Sequence, residues 1–378
     1  MRQIYLDYNA TTPVAPSVLE AMLPFFKQHY GNPSSGHAFG RACNEAIEDA
    51  RSQVAALLGA TSEEIVFTSG GTESNNLALK GVMLRYTPVV KGHLVISAIE
   101  HPSVVAPARF LERLGFRLTI VPCDENGVVS PEAVEAALRS DTVLVSVMHA
   151  NNEVGVVQPI HDIAEVCRAR GIMVHTDASQ SAGKLRTLVH ELGVDLLTLA
   201  GHKFYAPKGV GALYVREGLS LEPFMHGAGH EGGLRAGTEN VPYIAGLGKA
   251  SMLAARGLDD AADRLAALRD RLQDQLYEAI GSRLVVHGGF AERLPNTLSV
   301  SFPNVTGQQL LARIPELCAS TGSACHASSG SMSPTLAAMR LSAEVAAGTV
   351  RLSVGWYTSE EEIDRAAELL VGAWEALQ

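Results

Sequence analysis

Leu197-Thr198-Leu199-Ala200-Gly201-His202-Lys203-Phe204 decides how this chain is read. An apolar run over residues 195–200 ends in Gly-His and one cation, just before the turn-forming Ala206-Pro207-Lys208-Gly209. The run reads as a buried strand and the Pro/Gly stretch as the turn that ends it. A lysine delivered by a buried strand into a turn is shielded from water, and a desolvated amine is a usable nucleophile toward aldehydes. An isolated lysine there would instead cap the strand and extend its amine to water. The neighbouring stretches decide between the two.

Further apolar runs at 93–98, 143–148, 172–176, 196–200 and 211–215 alternate with helical patterns such as 131–138 and 160–170. Continuous apolar strands separated by helices predict an α/β fold with a mainly parallel sheet covered on both faces. Beyond about Pro242 the texture changes. One long Ala-rich and charged helix pattern covers 244–280, strands follow at 297–302 and 350–354, and a last helix at 359–377. The expected division is an arm at 1–14 packing on the small domain, a large domain at 15–243 and a smaller α+β domain at 244–378. No G-x-G-x-x-G follows a strand, so a dinucleotide fold is excluded.

The bulk numbers limit the function classes. The chain has 378 residues, 47% of them hydrophobic, which is enough for two domain cores. A net charge of −10 without a polybasic run argues against direct nucleic-acid binding. No apolar stretch reaches bilayer length, and the N-terminus lacks a signal-peptide core, so no membrane role is expected. Five cysteines without a C-x-x-C read as reduced thiols in a cytoplasmic protein, with no metal site expected.

Five other stretches complete the pattern around Lys203. Thr68-Ser69-Gly70-Gly71-Thr72-Glu73-Ser74-Asn75-Asn76 joins a short strand to a helix, and such a start suits an anion as well as it suits plain capping. Asp177 follows the 172–176 strand, where open α/β sheets bind ligands. His101 follows the 93–98 strand with Pro102 fixing the turn, a place from which it can stack on a flat ring and shuttle protons. Cys325 lies in the small, polar Thr321-Gly322-Ser323-Ala324-Cys325-His326 stretch, which reads as an exposed loop carrying an available nucleophile. Arg351 is a cation on an apolar strand and needs an anionic partner. A lysine amine, a carboxylate for a ring nitrogen and a phosphate cup are together what pyridoxal phosphate requires.

The chain resembles the pyridoxal-phosphate-dependent cysteine desulfurases, the NifS/IscS-like group of fold-type I aminotransferase-like enzymes, and the related selenocysteine lyases. The likeness runs from Tyr5-Leu6-Asp7-Tyr8-Asn9-Ala10-Thr11-Thr12-Pro13 to Arg351-Leu352-Ser353. Between them it includes Asn151-Asn152-Glu153-Val154-Gly155, Gly201-His202-Lys203, Arg235-Ala236-Gly237-Thr238-Glu239-Asn240 and Gly322-Ser323-Ala324-Cys325. The resemblance implies that Lys203 carries the cofactor as a Schiff base, Asp177 pairs with the pyridine nitrogen, Gln180 with the phenolic oxygen, and His101 stacks on the ring. It implies that Gly71, Thr72 and His202 hold the phosphate, that Thr238 reaches it from a neighbouring subunit of a homodimer, and that Asn152 lies beside the ring. It makes Asn9 and Arg351 holders of the substrate carboxylate and Cys325, on the loop at 320–333, the acceptor of sulfur from L-cysteine. A protein then receives the sulfur.

Four departures stand out against the family pattern. Ala200 replaces a Ser or Thr hydroxyl, His230 and Gly232 replace Gln and Arg, Trp356 replaces Arg, and His326 follows Cys325 in a lengthened loop. The Cys-His pair is similar to selenocysteine lyases, which keeps L-selenocysteine as an alternative substrate. A sulfur-delivery scaffold is the rival from another class.

Overall fold

The structure is a computed structural model that describes residues 3–87, 89–321 and 332–378. Its strands are β1 (Ile4–Tyr5), β2 (Ile65–Thr68), β3 (His93–Ser97), β4 (Arg117–Val121), β5 (Thr142–Ser146), β6 (Met173–Asp177), β7 (Leu196–Ala200), β8 (Gly211–Val215), β9 (Val285–Val286), β10 (Thr297–Ser301), β11 (Leu317–Cys318) and β12 (Thr349–Ser353). Among the described residues, seven of them form one sheet in the order β2-β8-β7-β6-β5-β3-β4. Strands β3 to β7 run parallel, while β8 is antiparallel to both β7 and β2. Every residue of β2, β3, β7 and β8 is buried. Helices cover both faces, so these strands are apolar throughout instead of alternating. The α/β fold with a large, mainly parallel sheet is the one the sequence pattern predicts.

A second core is built on the three-stranded sheet β12-β10-β9 and the helices Leu258–Ile280 and Glu360–Glu375. The helix pattern expected over 244–280 is two helices, Val241–Arg256 and Leu258–Ile280, separated at Gly257. The physical reason is a change of partner. Ile244, Leu247 and Ala250 of the first helix join the core of the large sheet, whereas Leu265, Leu268, Leu272 and Leu276 of the second join the small one. A continuous helix cannot turn its apolar face from one core to the other, and the helix is interrupted at Gly257. The change of core therefore falls at Gly257 and not at 243–244.

The N-terminal segment links the two cores. β1 pairs with β11, and Ile4 and Leu6 are buried in the small core, at roughly 1.5–3 kcal/mol each. Tyr8 then joins the large core, which carries residues 9–12 across the C-terminal ends of the sheet strands. No described helix is long and apolar enough to cross a membrane.

Candidate active site

The C-terminal ends of β2, β3, β5, β6 and β7 open on one cavity of about 260 Å³. β7 stops at Ala200 and a single tight turn, Gly201–Lys203, presents the lysine. Lys203 Nζ donates to the carbonyls of Asn9 (2.6 Å) and Ala10 (3.0 Å), so the arm meets the turn at this amine. β6 ends on Asp177 itself. β3 leads to His101, which caps the helix Pro102–Arg113 by accepting from Ser103 N at Nδ1 (3.1 Å). β2 leads to Gly70, whose φ of 144° favours glycine, and to the helix Gly71–Tyr86.

The cavity is lined by Asn9, Gly71, Thr72, His101, Asn152, Asp177, Gln180, His202, Lys203 and Arg351. Of the candidate residues, it leaves out Thr238 and Cys325. Thr238 is exposed on a segment fastened to the helix Gly71–Tyr86, where Arg235 Nε donates to Glu73 Oε1 (3.0 Å). Cys325, with the rest of 322–331, lies outside the described residues. The chain on either side of that segment is tied to Arg351, which lines the cavity, and to Glu153. Arg351 N donates to Ser320 O (2.7 Å), and Ser333 Oγ donates to Glu153 Oε2.

Asp177 is 5% exposed. Its Oδ1 accepts from Ser179 N (2.9 Å) and its Oδ2 from Asn75 Nδ2 (2.7 Å). Arg351, 2% exposed, donates from Nη2 to Asp7 Oδ1 (2.7 Å) and from Nη1 to Asn152 O (2.9 Å), while its Nε has no partner. Gln180 Nε2 donates to Asn9 O (3.0 Å), and its buried Oε1 has no partner. Burial, then the positive charge of Lys203, holds the His202 imidazole down to about 4, so this ring is neutral at neutral pH. At Gly71 a Cβ would come within 3.0 Å of Ser179 Oγ and 3.2 Å of Ala200 Cβ, so glycine keeps the floor of the cup open.

The contacts of Asn9, and two further contributors, escape local reading of the sequence. Asn9 lines the cavity, but its Nδ2 donates to Thr297 Oγ1 (2.8 Å) and its Oδ1 accepts from Asn296 Nδ2 (3.0 Å), so its amide is taken up by the small domain. Glu100 Oε1 accepts from Ser97 Oγ (2.6 Å) and Met148 N (2.8 Å), tying the turn before His101 to the chain after β5. Lys184 is buried and donates to Gln180 O (2.8 Å) and Lys203 O (3.4 Å); burial, then Lys203, lowers its amine to about 7. Glu100 and Lys184 carry no signal of this kind in the sequence, because the partners that tie them to the site, Met148 and Lys203, follow other strands.

The departures fall in different places. Ala200 lines the cavity with a methyl group, and the Ser179 hydroxyl faces the same cup. Trp356 stacks on Tyr205, two residues past Lys203, with centroids 3.8 Å apart, and its backbone N–H donates to Tyr205 Oη (2.6 Å). His230 and Gly232 line a separate open depression of about 700 Å³ that contains none of the candidate residues. Arg51 and Glu231 also line it and are paired with each other there, Arg51 Nη1 donating to Glu231 Oε2 (2.7 Å).

Comparisons with known proteins agree with this geometry. The aminotransferase class-V family model matches residues 4–366. The chain is 46% identical over 371 residues to "Cysteine desulfurase IscS" from Dictyoglomus turgidum, covering 98% of this chain and 94% of that protein. It is 44% identical over 376 residues to "Cysteine desulfurase IscS 1" from Archaeoglobus fulgidus, covering 99% and 97%. A solved structure described as "NIFS-LIKE PROTEIN" superposes with a TM-score of 0.91 at 38% identity, over 99% of both chains. Another, "SspA in complex with cysteine", gives 0.83 at 39% identity, over 94% of this chain and 99% of that one. With the sheet order, the lysine at its strand end and a match of this length, the chain belongs to the aminotransferase class-V family.

Proposed function

We propose that this chain is a cysteine desulfurase, which moves the sulfur of L-cysteine onto an enzyme cysteine as a persulfide, releases L-alanine, and passes the sulfur to an acceptor protein. The observation that carries the reading is the meeting of Lys203, Asp177 and His101 around one cavity also lined by the buried Arg351.

The residues present fit pyridoxal phosphate. They offer an amine, a buried carboxylate, a glycine-floored helix start for an anion, and unpartnered buried atoms on Gln180 and Arg351 that a polar ligand would satisfy. Lys203 would hold its aldehyde carbon, Asp177 its ring nitrogen, Gln180 its phenolic oxygen, and Gly71, Thr72 and His202 its phosphate, with His101 and Asn152 beside the ring. Thr238 would reach the phosphate of a second copy in a homodimer. When bound, the cofactor supplies an electron sink for charge developing at the substrate Cα.

The chain's own groups do the rest. Arg351, held by Asp7 and Asn152 O, receives the substrate carboxylate. Lys203 and His101 take and return the proton of Cα. The Cys325 thiolate attacks the substrate sulfur, so an S–S bond forms as the Cβ–S bond breaks and its electron pair stays with the substrate carbon. Protonation of that carbon gives alanine. Cysteine and thiol become alanine and persulfide, and no outside oxidant or reductant enters.

The direct test is product analysis. With L-cysteine and a thiol reductant, the cofactor-loaded protein is expected to release alanine and sulfide in equal amounts. Alanine and selenide from L-selenocysteine, with no turnover of L-cysteine, would replace this reading by a lyase.

A second expectation concerns Asp177→Asn. A neutral amide cannot stabilise a protonated ring nitrogen, whereas the phosphate contacts stay in place. Cofactor should stay bound while kcat falls by at least about 10²-fold, the size of loss seen when a charge-stabilising group is removed. Near-normal turnover in that variant would take Asp177 out of the reaction.

A further inference from the structure

We propose that Asn75 and Ser103 are positioning residues that join Asp177 to His101 and hold the imidazole in the tautomer whose proton is on Nε2. This inference rests on the placement of Asp177 and His101 at the cofactor argued above. Asn75 is fully buried in the helix Gly71–Tyr86, and Ser103 is 7% exposed in the first turn of the helix Pro102–Arg113. Asn75 Nδ2 donates to Asp177 Oδ2 at 2.7 Å and to Ser103 Oγ at 2.8 Å. Ser103 Oγ lies 2.7 Å from His101 Nδ1, and Ser103 N donates to the same nitrogen at 3.1 Å.

The direction of every bond follows from its start. A carboxylate only accepts, so Asn75 must turn its amino group toward Asp177, and the reverse orientation would set oxygen against oxygen. That choice leaves Asn75 Oδ1 buried without a partner, a cost the structure accepts. The second N–H of Asn75 fills a lone pair of Ser103 Oγ, which leaves the one hydroxyl proton to point at His101 Nδ1. The backbone N–H of Ser103 points there as well. Nδ1 thus accepts from two donors, and the proton of the neutral ring belongs to Nε2. The charge of Asp177 thereby sets the tautomer of His101 through two side chains that come from different helices.

The tautomer is read directly by nitrogen NMR of the cofactor-loaded protein labelled with ¹⁵N-histidine, the His101 signals being those lost in His101→Asn. The expected pattern is an unprotonated Nδ1 and a protonated Nε2, and a protonated Nδ1 overturns the proposal. The kinetic test is a double-mutant cycle. Ser103→Ala and the near-isosteric Asn75→Leu should each lower kcat about tenfold with KM for L-cysteine changed by less than about twofold, and Ser103→Thr should restore the rate. Because both break one chain, the double variant should be no slower than the slower single one. Losses that multiply to about a hundredfold, or an unaffected Ser103→Ala, overturn the proposal. Should Asn75→Leu fail to fold, the Ser103 pair and the NMR pattern decide alone. An inactive Asp177→Asn beside a normal Ser103→Ala refutes the chain of hydrogen bonds and leaves the site standing, whereas a normal Asp177→Asn removes both.

Discussion

Replacing Lys203 by alanine is expected to leave a protein that does not turn over L-cysteine and that lacks the visible absorbance band of the cofactor-loaded enzyme. Lys203 is the one lysine among the described residues lining the cavity, and its turn is fixed from both sides. The arm accepts from its amine through Asn9 O and Ala10 O, and Trp356 clamps Tyr205 just beyond it. In the proposed roles of Lys203, the variant loses both the amine that holds the cofactor and a group that moves the Cα proton, so a loss of at least about 10³-fold is expected. Lys184 is the internal control. Its amine is buried against Gln180 O and Lys203 O and does not line the cavity, so it offers no substitute. Borohydride treatment of the wild-type holoenzyme followed by peptide mapping should label Lys203. A coloured Lys203→Ala protein, or label on Lys184, would place the cofactor on the wrong lysine here.

What the sequence reveals about this site is what strands alone determine. The apolar runs that became β3, β5, β6, β7 and β8 are buried on both faces, so composition was enough to find them and to place the residues at their ends. Asp177, His101 and Lys203 follow from that directly. Break points inside helices are harder to see. Gly257 costs an isolated helix only about 1 kcal/mol, so the 244–280 pattern runs through it, and the break becomes necessary only when two cores compete for the two halves. The linking residues are equally hidden. Asn75 looks like part of the phosphate cup and Ser103 like a helix start, while their tie to Asp177 and His101 depends on three separate elements meeting. Asn9 shows the converse: its position at the cavity was legible, but the engagement of its amide by Asn296 and Thr297 was not.

Changing Cys325 to serine is expected to abolish persulfide formation and sulfide release from L-cysteine while L-cysteine still binds and perturbs the cofactor spectrum. The argument is by comparison with the other thiols. Cys43, Cys123 and Cys167 are buried, and burial raises the Cys123 thiol and pushes Cys167 up to about 12, so neither offers much thiolate at neutral pH. Cys318 is half-buried in β11, paired with β1, with its Sγ 3.7 Å from Gln3 Oε1. Cys325 belongs to a Gly/Ser-rich stretch outside the described residues; of its flanks, Ser320 bonds to Arg351 and Ser333 to Glu153. Serine keeps the size of the side chain but is a far weaker nucleophile toward sulfur, so a loss of at least about 10²-fold in sulfide release is expected, with little change in L-cysteine binding. Selenium leaves carbon more readily than sulfur, so selenide release from L-selenocysteine should survive the substitution better than sulfide release does. Mass spectrometry of the wild-type enzyme after a brief pulse of L-cysteine should find the added sulfur on Cys325. Added sulfur on Cys43, Cys123, Cys167 or Cys318, together with a Cys325→Ser protein fully active on L-cysteine, would refute the assignment.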